Sequence, residues 1–318
     1  MITSAFKTFS SSLVAGASYT PDGSAGKGYC MGGTDGTYRT TVNSMAFATE
    51  VSAVTGYSIT DAVSGAAGVN SSTTGYRIAG RGTGVGHSDG TGVDKIIFAS
   101  EFIASISSYL STGTTFSAGT NSSSAGYSMG GDLTSTRVSA VTFSNNTTTT
   151  NAATLPGGIA RAAGVNSTTN GYTVAGSSGS SVNYIFKMAF SNLAMSWLSA
   201  TASVARSYPT GVNSSTRGYA IGGTDSIPQN ITTVDGIQFS NDSAFTASTA
   251  LATSMSAGAG VNSANRGYTM GSTYNSSVPS SWTSIRGFVF STESNFITTA
   301  SLSQGRSGGA GCQSGGYI

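Results

Sequence analysis

The residues able to do chemistry in this chain are few. There is one histidine, His87, in the stretch GRGTGVGHSDGTG from Gly80 to Gly92, and there are two cysteines, Cys30 and Cys312. These fall short of a structural zinc site or a multi-histidine metal centre, so neither metal nor organic cofactor is expected. A Ser-His-Asp arrangement would have to use His87, on a glycine-rich loop with nothing evident to orient it. The same stretch lacks the Lys-Ser/Thr of a phosphate-binding loop and no helix follows it, so it reads as a long hairpin. Asp35, Asp89, Asp94, Asp132 and Asp225 recur in corresponding segments, and two carboxylates can flank a glycosidic bond. Loop aspartates are common turn formers, however, and the chain has only three glutamates. No catalytic residue is therefore assigned, and an enzyme acting on glycans is the alternative.

Residues suited to recognition are more numerous. Tyr38, Arg39, Arg81, His87, Arg137, Asn183, Tyr184, Gln229, Asn230, Tyr274, Asn275 and Trp282 offer flat apolar faces and planar polar groups, which a sugar-binding or protein-docking surface requires. Trp282 and Tyr274 are the expected apolar anchors, with Arg81 and Asn275 as polar contacts. Cys30 and Cys312 read as free buried thiols, with a bridge joining the chain ends as the alternative.

What positions these residues is a repeat. Near-copies of GVNSSTTGYRIAG begin at Gly68, Gly164, Gly211 and Gly260. The Gly-Tyr within them recurs at Gly28, Gly75, Gly126, Gly171, Gly218 and Gly267, and the chain ends in a further copy at Gly316; the spacing of 45 to 51 residues is that of propeller blades. A phenylalanine follows each of the first six copies: Phe47, Phe98, Phe143, Phe190, Phe239 and Phe290. The link between each glycine-rich strand end and its Phe is always even in length, which keeps side-chain parity when the arms of a hairpin lengthen in pairs. Each repeat therefore reads as four antiparallel strands: first (as GVNS), second (as GYAIGG), third (ending at the Phe) and fourth. Such units bury both faces by stacking radially.

The expected fold is all-β, a single β-propeller domain over residues 1–318. Seven blades are favoured, with six as the alternative. In the seven-bladed reading an N-terminal fourth strand around Phe6 to Leu13 closes the ring against first and second strands at the C-terminus. The strand-ending Gly-Gly, the third-strand aromatic and an Arg before the next first strand (Arg161 in LPGGIARAAGVNS, then Arg206 and Arg306) resemble the kelch family. That resemblance covers essentially the whole chain and implies architecture rather than activity.

Composition narrows the partners. Only 26 residues in 318 are charged (14 Lys and Arg, 12 Asp and Glu), with a net charge of +2, so nucleic acid is not an expected partner. No apolar run reaches the ~18 residues of a membrane span, and no signal peptide is read at the N-terminus. The Asn-X-Ser/Thr triplets at Asn70, Asn121, Asn166, Asn213 and Asn275 then read as chance. Abundant Gly, Ser, Thr and Asn with few Lys and Glu is similar to bacteriophage tail and fibre proteins, which assemble in the host cytoplasm. The expectation is a non-enzymatic virion propeller. Its variable second-to-third links would engage a host-surface glycan or a neighbouring tail subunit, with homo-oligomers allowed and an intracellular kelch-type adaptor as a further alternative.

Overall fold

The computed structural model describes residues 21–83, 90–132, 135–226, 229–275 and 278–315; the side chains of 274–281 lie outside that description. Strands Ala67–Asn70, Thr74–Ile78, Val93–Ile97 and Phe102–Ser105 form one antiparallel sheet, and the same meander recurs from Ala118, Ala163, Thr210 and Ala259. The remaining sheet draws on both ends of the chain: Ala310–Ser314, Lys27–Met31, Arg39–Ala46 and Val51–Ser64, in that order, with the short strand Arg81–Thr83 added at its outer edge. The protein is an all-β propeller of six blades, with no helix among the described residues.

The expectation of seven blades is overturned. Ala310–Ser314 pairs Cys312 with Tyr29 and Ser314 with Lys27, and so fills the innermost place of the blade that begins at Lys27. Among the described residues no strand is left over for a seventh blade, and the ring is closed by the strand Ala310–Ser314 from the C-terminal end. The fourth strand expected at Phe6 to Leu13 and the Gly-Tyr at Gly316 lie outside the described residues.

Contacts at the axis show why six first strands suffice. A Cβ on Gly68 would stand 2.0 Å from the carbonyl oxygen of Gly311, and Gly119, Gly164, Gly211, Gly260 and Gly311 each face the preceding glycine in the same way at 2.0 to 2.3 Å. The six inner strands thus approach so closely that only glycine fits. Beneath them runs a girdle of amides. The Oδ1 atoms of Asn121, Asn166, Asn213 and Asn262 accept from the backbone N–H of Asn70, Asn121, Asn166 and Asn213, and Asn70 Oδ1 accepts from Gln313 N–H. Asn70, Asn121, Asn166 and Asn213 are buried there, which removes them as glycosylation acceptors in the folded state.

Between blades, the Gly-Tyr and the Phe act together. The glycines of Gly28, Gly126, Gly218 and Gly267 leave room for Val261, Val69, Val165 and Val212 of the neighbouring first strand. Each Tyr stacks on the Phe of the next blade, from Tyr29 on Phe98 to Tyr268 on Phe47, at centroid distances of 5.3 to 5.5 Å in all six pairs. The residue three beyond each Phe has positive φ: Glu50, Glu101, Asn146, Leu193, Asp242 and Glu293. Glu50, Glu101, Asn146 and Asp242 accept the hydroxyls of Tyr268, Tyr29, Tyr76 and Tyr172. Glu50 and Glu101 are thereby fixed at blade interfaces, and Glu293 is held by Arg217 instead.

The even link lengths correspond to one shared register. Each Gly of Gly-Tyr faces the residue two before its Phe, from Gly28 opposite Met45 to Gly267 opposite Phe288. The long hairpin arms carry register shifts: Asn170–Ser177 with Ser181–Ala189 after Val174, and Arg266–Asn275 with Val278–Val289 after Met270 and again after Thr273.

Candidate functional site

The fourth-to-first links meet at one end of the axis. Six equivalent residues there, three positions before the axial glycines, all have positive φ: Gly65, Phe116, Arg161, Tyr208, Ala257 and Gly308. Their backbones form a closed cycle in which each N–H donates to the carbonyl of the preceding member, at 2.6 to 2.9 Å. The cycle fixes six Cα–Cβ directions around the axis whatever side chain is present. Left-handed φ disfavours residues other than glycine, so Phe, Arg and Tyr at three consecutive places keep strain that glycine would relieve.

Those three side chains break the sixfold symmetry. The Arg161 guanidinium carbon lies 4.9 Å from the ring centroid of Tyr208 and 5.4 Å from that of Phe116, and the two rings meet edge to face at 5.6 Å. Opposite them stand only Gly65, Ala257 and Gly308. The result is a one-sided axial cavity of about 410 Å³, lined also by Tyr38, Arg81, Ser64, Ser117, Thr224 and Thr273. Below it the axis narrows past the inner strands to about 40 Å³ at the amide girdle. Arg161 has no carboxylate partner among the described residues, and its buried Nε has no hydrogen-bond partner there. Burial pushes the Tyr208 phenol up from its ordinary value although Arg161 pulls it down, so the ring sits neutral beside the cation.

The residues expected from the sequence scatter around this cavity. Tyr38 and Arg81 line it, and Arg81 is exposed on the short strand Arg81–Thr83. Arg39 is held by Asp35, whose carboxyl it keeps below the usual range. Arg137 donates to the Gly113 carbonyl at 3.0 Å, Asn183 to that of Ala202 at 3.2 Å and Asn230 to that of Thr273 at 2.7 Å. The Gln229 backbone donates to Asp225. Tyr184 packs on Trp197, 4.6 Å between centroids, towards the outer strand of its blade. Trp282 carries the Arg286 guanidinium 4.5 Å above its ring. Tyr274 and Asn275 lie on the strand Arg266–Asn275 with side chains outside the described residues, and His87 and Asp89 lie outside them altogether.

The carboxylates are dispersed. Asp94 is fully buried with Arg77 at 2.5 Å, Asp132 accepts from Thr115, and no carboxylate or histidine is among the cavity's lining residues. Among the described residues no three His, Cys, Asp or Glu side chains converge as a metal site would need. Cys30 and Cys312 are free; they stand on neighbouring strands but one register step apart, so they face opposite sides of the sheet.

Arg161 itself was misplaced by sequence reasoning. It stands three residues before Gly164, whereas Arg206 and Arg306 stand five before Gly211 and Gly311. That two-residue offset separates a cavity residue from two scaffold residues. Arg206 and Arg306 are fully buried, each donating from Nη1 to two carbonyls: Gly222 and Thr233, and Gly32 and Thr41. In another blade Arg77, from a second strand, caps the equivalent carbonyls of Ala79 and Gly92. No protein-family profile matches the chain, and no curated protein is significantly similar to it.

Proposed function

We propose that the protein is a non-enzymatic binding propeller of the virion type, engaging a host-surface glycan or a neighbouring tail subunit through the face that carries the second-to-third and fourth-to-first links. The observation that carries this reading is the axial cavity on that face, where strained Phe116, Arg161 and Tyr208 replace the small residues of the other three blades. Large side chains kept at positive φ around a cavity, where glycine would do for the backbone alone, support a binding site there. The opposite face repeats the same hairpin with little variation, as expected of a structural surface. Composition supports the virion setting, since polarity is carried by Ser, Thr, Asn and 44 Gly rather than by charge.

The test compares the two faces. Replacing Tyr38 and Arg81 together by Ala should weaken attachment to host cells, or capture of a tail subunit, by about tenfold or more with little change in melting temperature. Replacing Trp282 and Tyr274 by Ala probes the outer links of the same face. Ser72→Arg and Ser215→Arg, on exposed hairpin tips of the opposite face, should leave binding unchanged. Binding lost only in the latter pair would place the interface on the wrong side of the ring for this reading. Steady turnover of a polysaccharide would replace it with an enzymatic one.

A further inference from the structure

We infer that the axial cavity takes a carboxylate-bearing sugar, with the Arg161 guanidinium as the group that holds the carboxylate. This deepens, and rests on, the assignment of binding to the variable face. Arg161 is a cation at a cavity lined by no acid, without a carboxylate partner among the described residues, and with a buried Nε that donates to nothing there. Its guanidinium rests against the rings of both Phe116 and Tyr208, 5.4 and 4.9 Å from their centroids. A guanidinium immobilised in this way presents its fork at little entropic cost, and the planar, singly charged group that matches the fork is a carboxylate. The backbone amides nearby are consumed by the closed hydrogen-bonded cycle, so they do not compete for the anion.

The rest of the cavity selects a sugar over a peptide terminus. Its volume of about 410 Å³ is at the small end of ligand pockets, suited to one compact residue rather than an extended chain. Hydroxyls of Ser64, Ser117, Thr224 and Thr273 line it, and the wall of Gly65, Ala257 and Gly308 leaves a flat surface against which a pyranose ring can lie. Arg81, exposed on the same lining, is placed to meet a second polar group of the ligand.

Calorimetric titration of the full chain tests this with glucuronic, galacturonic and N-acetylneuraminic acids, with neutral glucose and galactose, and with acetate and a short peptide ending in a free carboxylate. At least one acidic sugar should bind at one site per chain, with neutral sugars, acetate and peptide at least about tenfold weaker. Arg161→Gly should reduce that affinity by at least about tenfold without lowering the melting temperature, because φ of 57° suits glycine; Arg161→Gln gives the same loss with a side chain retained. Ala257→Phe, at a place whose equivalents already hold Phe116 and Tyr208, should fill the cavity and abolish binding while leaving Arg161 intact. Acidic sugars that fail to bind at millimolar concentration, or that bind equally well to Arg161→Gly, overturn the proposal. Equal affinity for acetate or the peptide overturns the sugar class. A neutral ligand blocked by Ala257→Phe but indifferent to Arg161→Gly overturns the carboxylate alone and leaves the binding face standing. Partner attachment indifferent to both cavity variants and to the Tyr38 and Arg81 replacement removes the binding-face reading as well.

Discussion

Arg206 and Arg306 occupy equivalent places in two blades and meet different company. Arg206 is paired with Asp235, which also accepts from the backbone and hydroxyl of Ser203. Arg306 has Asn43 where Asp235 would be, and its Nε and Nη2 are buried without partners among the described residues. An unpaired buried charge is costly, whereas a paired and hydrogen-bonded one is tolerated. Asp235→Asn should therefore destabilise the fold by ~3–5 kcal/mol in urea unfolding. Asn43→Asp, with Ser303 already in hydrogen-bond contact with residue 43, should raise the melting temperature; a fall would contradict the equivalence of the two places. The thiols give a pH dependence at the same scale. Burial raises Cys30 from the ordinary 9.0 to about 11 and raises Cys312 as well, and burial also raises Tyr29, Tyr172 and Tyr268. Folded-state values above the unfolded ones mean that this stability is complete below pH 9 and is lost as pH rises through about 11. The melting temperature should drop over that window, and less steeply in a Cys30→Ala/Cys312→Ala variant.

At the scale of the element, the inner strand and the Tyr–Phe interface carry the architecture. Gly211→Ala would bring a Cβ to 2.2 Å from the Gly164 carbonyl oxygen, a backbone atom that cannot step aside. The variant should fail to fold or lose several kcal/mol, whereas Gly36→Ala, where a Cβ meets no atom within 4 Å, should still fold and lose only the backbone strain of its φ of 104°. Phe47, fully buried against Tyr268, should cost ~3–5 kcal/mol on truncation to Ala by chemical unfolding. The other five phenylalanines are only partly buried and lie just past the third strands, so their truncation should cost less. These elements were legible because each is written at least six times: Gly-Tyr, the even links and the Phe all state the same register. The carbonyl-capping guanidinium was not, because it comes from a fourth-to-first link in two blades and from Arg77 in a third. Three-dimensional equivalence there has no counterpart in spacing.

For the molecule as a whole, closure of the ring is the decisive contact. Deleting Ala310–Ile318 strips the innermost strand from the blade at Lys27 and opens the axial contacts of Gly68 and Gly260, so the truncated chain should lose cooperative unfolding. A circular permutant that joins Ser314 to Lys27 and starts between Leu155 and Ile159 should instead fold with a melting temperature near the parent's; unfolding in separate steps would deny that the two ends build one blade. The sequence by itself determined the repeat, its four strands, their parity and the face on which the variable links lie, because period-two alternation and glycine placement are local and are repeated. It even held the blade number, since Gly68, Gly119, Gly164, Gly211, Gly260 and Gly311 make six first strands although the Gly-Tyr of the repeat stands at seven places, the seventh at Gly316. Only the tertiary structure decided which count governs. The axis accepts one inner strand per blade, and a strand from the C-terminal end reached the vacant place. Only it, too, turned Phe116, Arg161 and Tyr208 into neighbours, because residues 45 and 47 positions apart along the chain become adjacent when a ring closes on a backbone cycle that fixes where each side chain points.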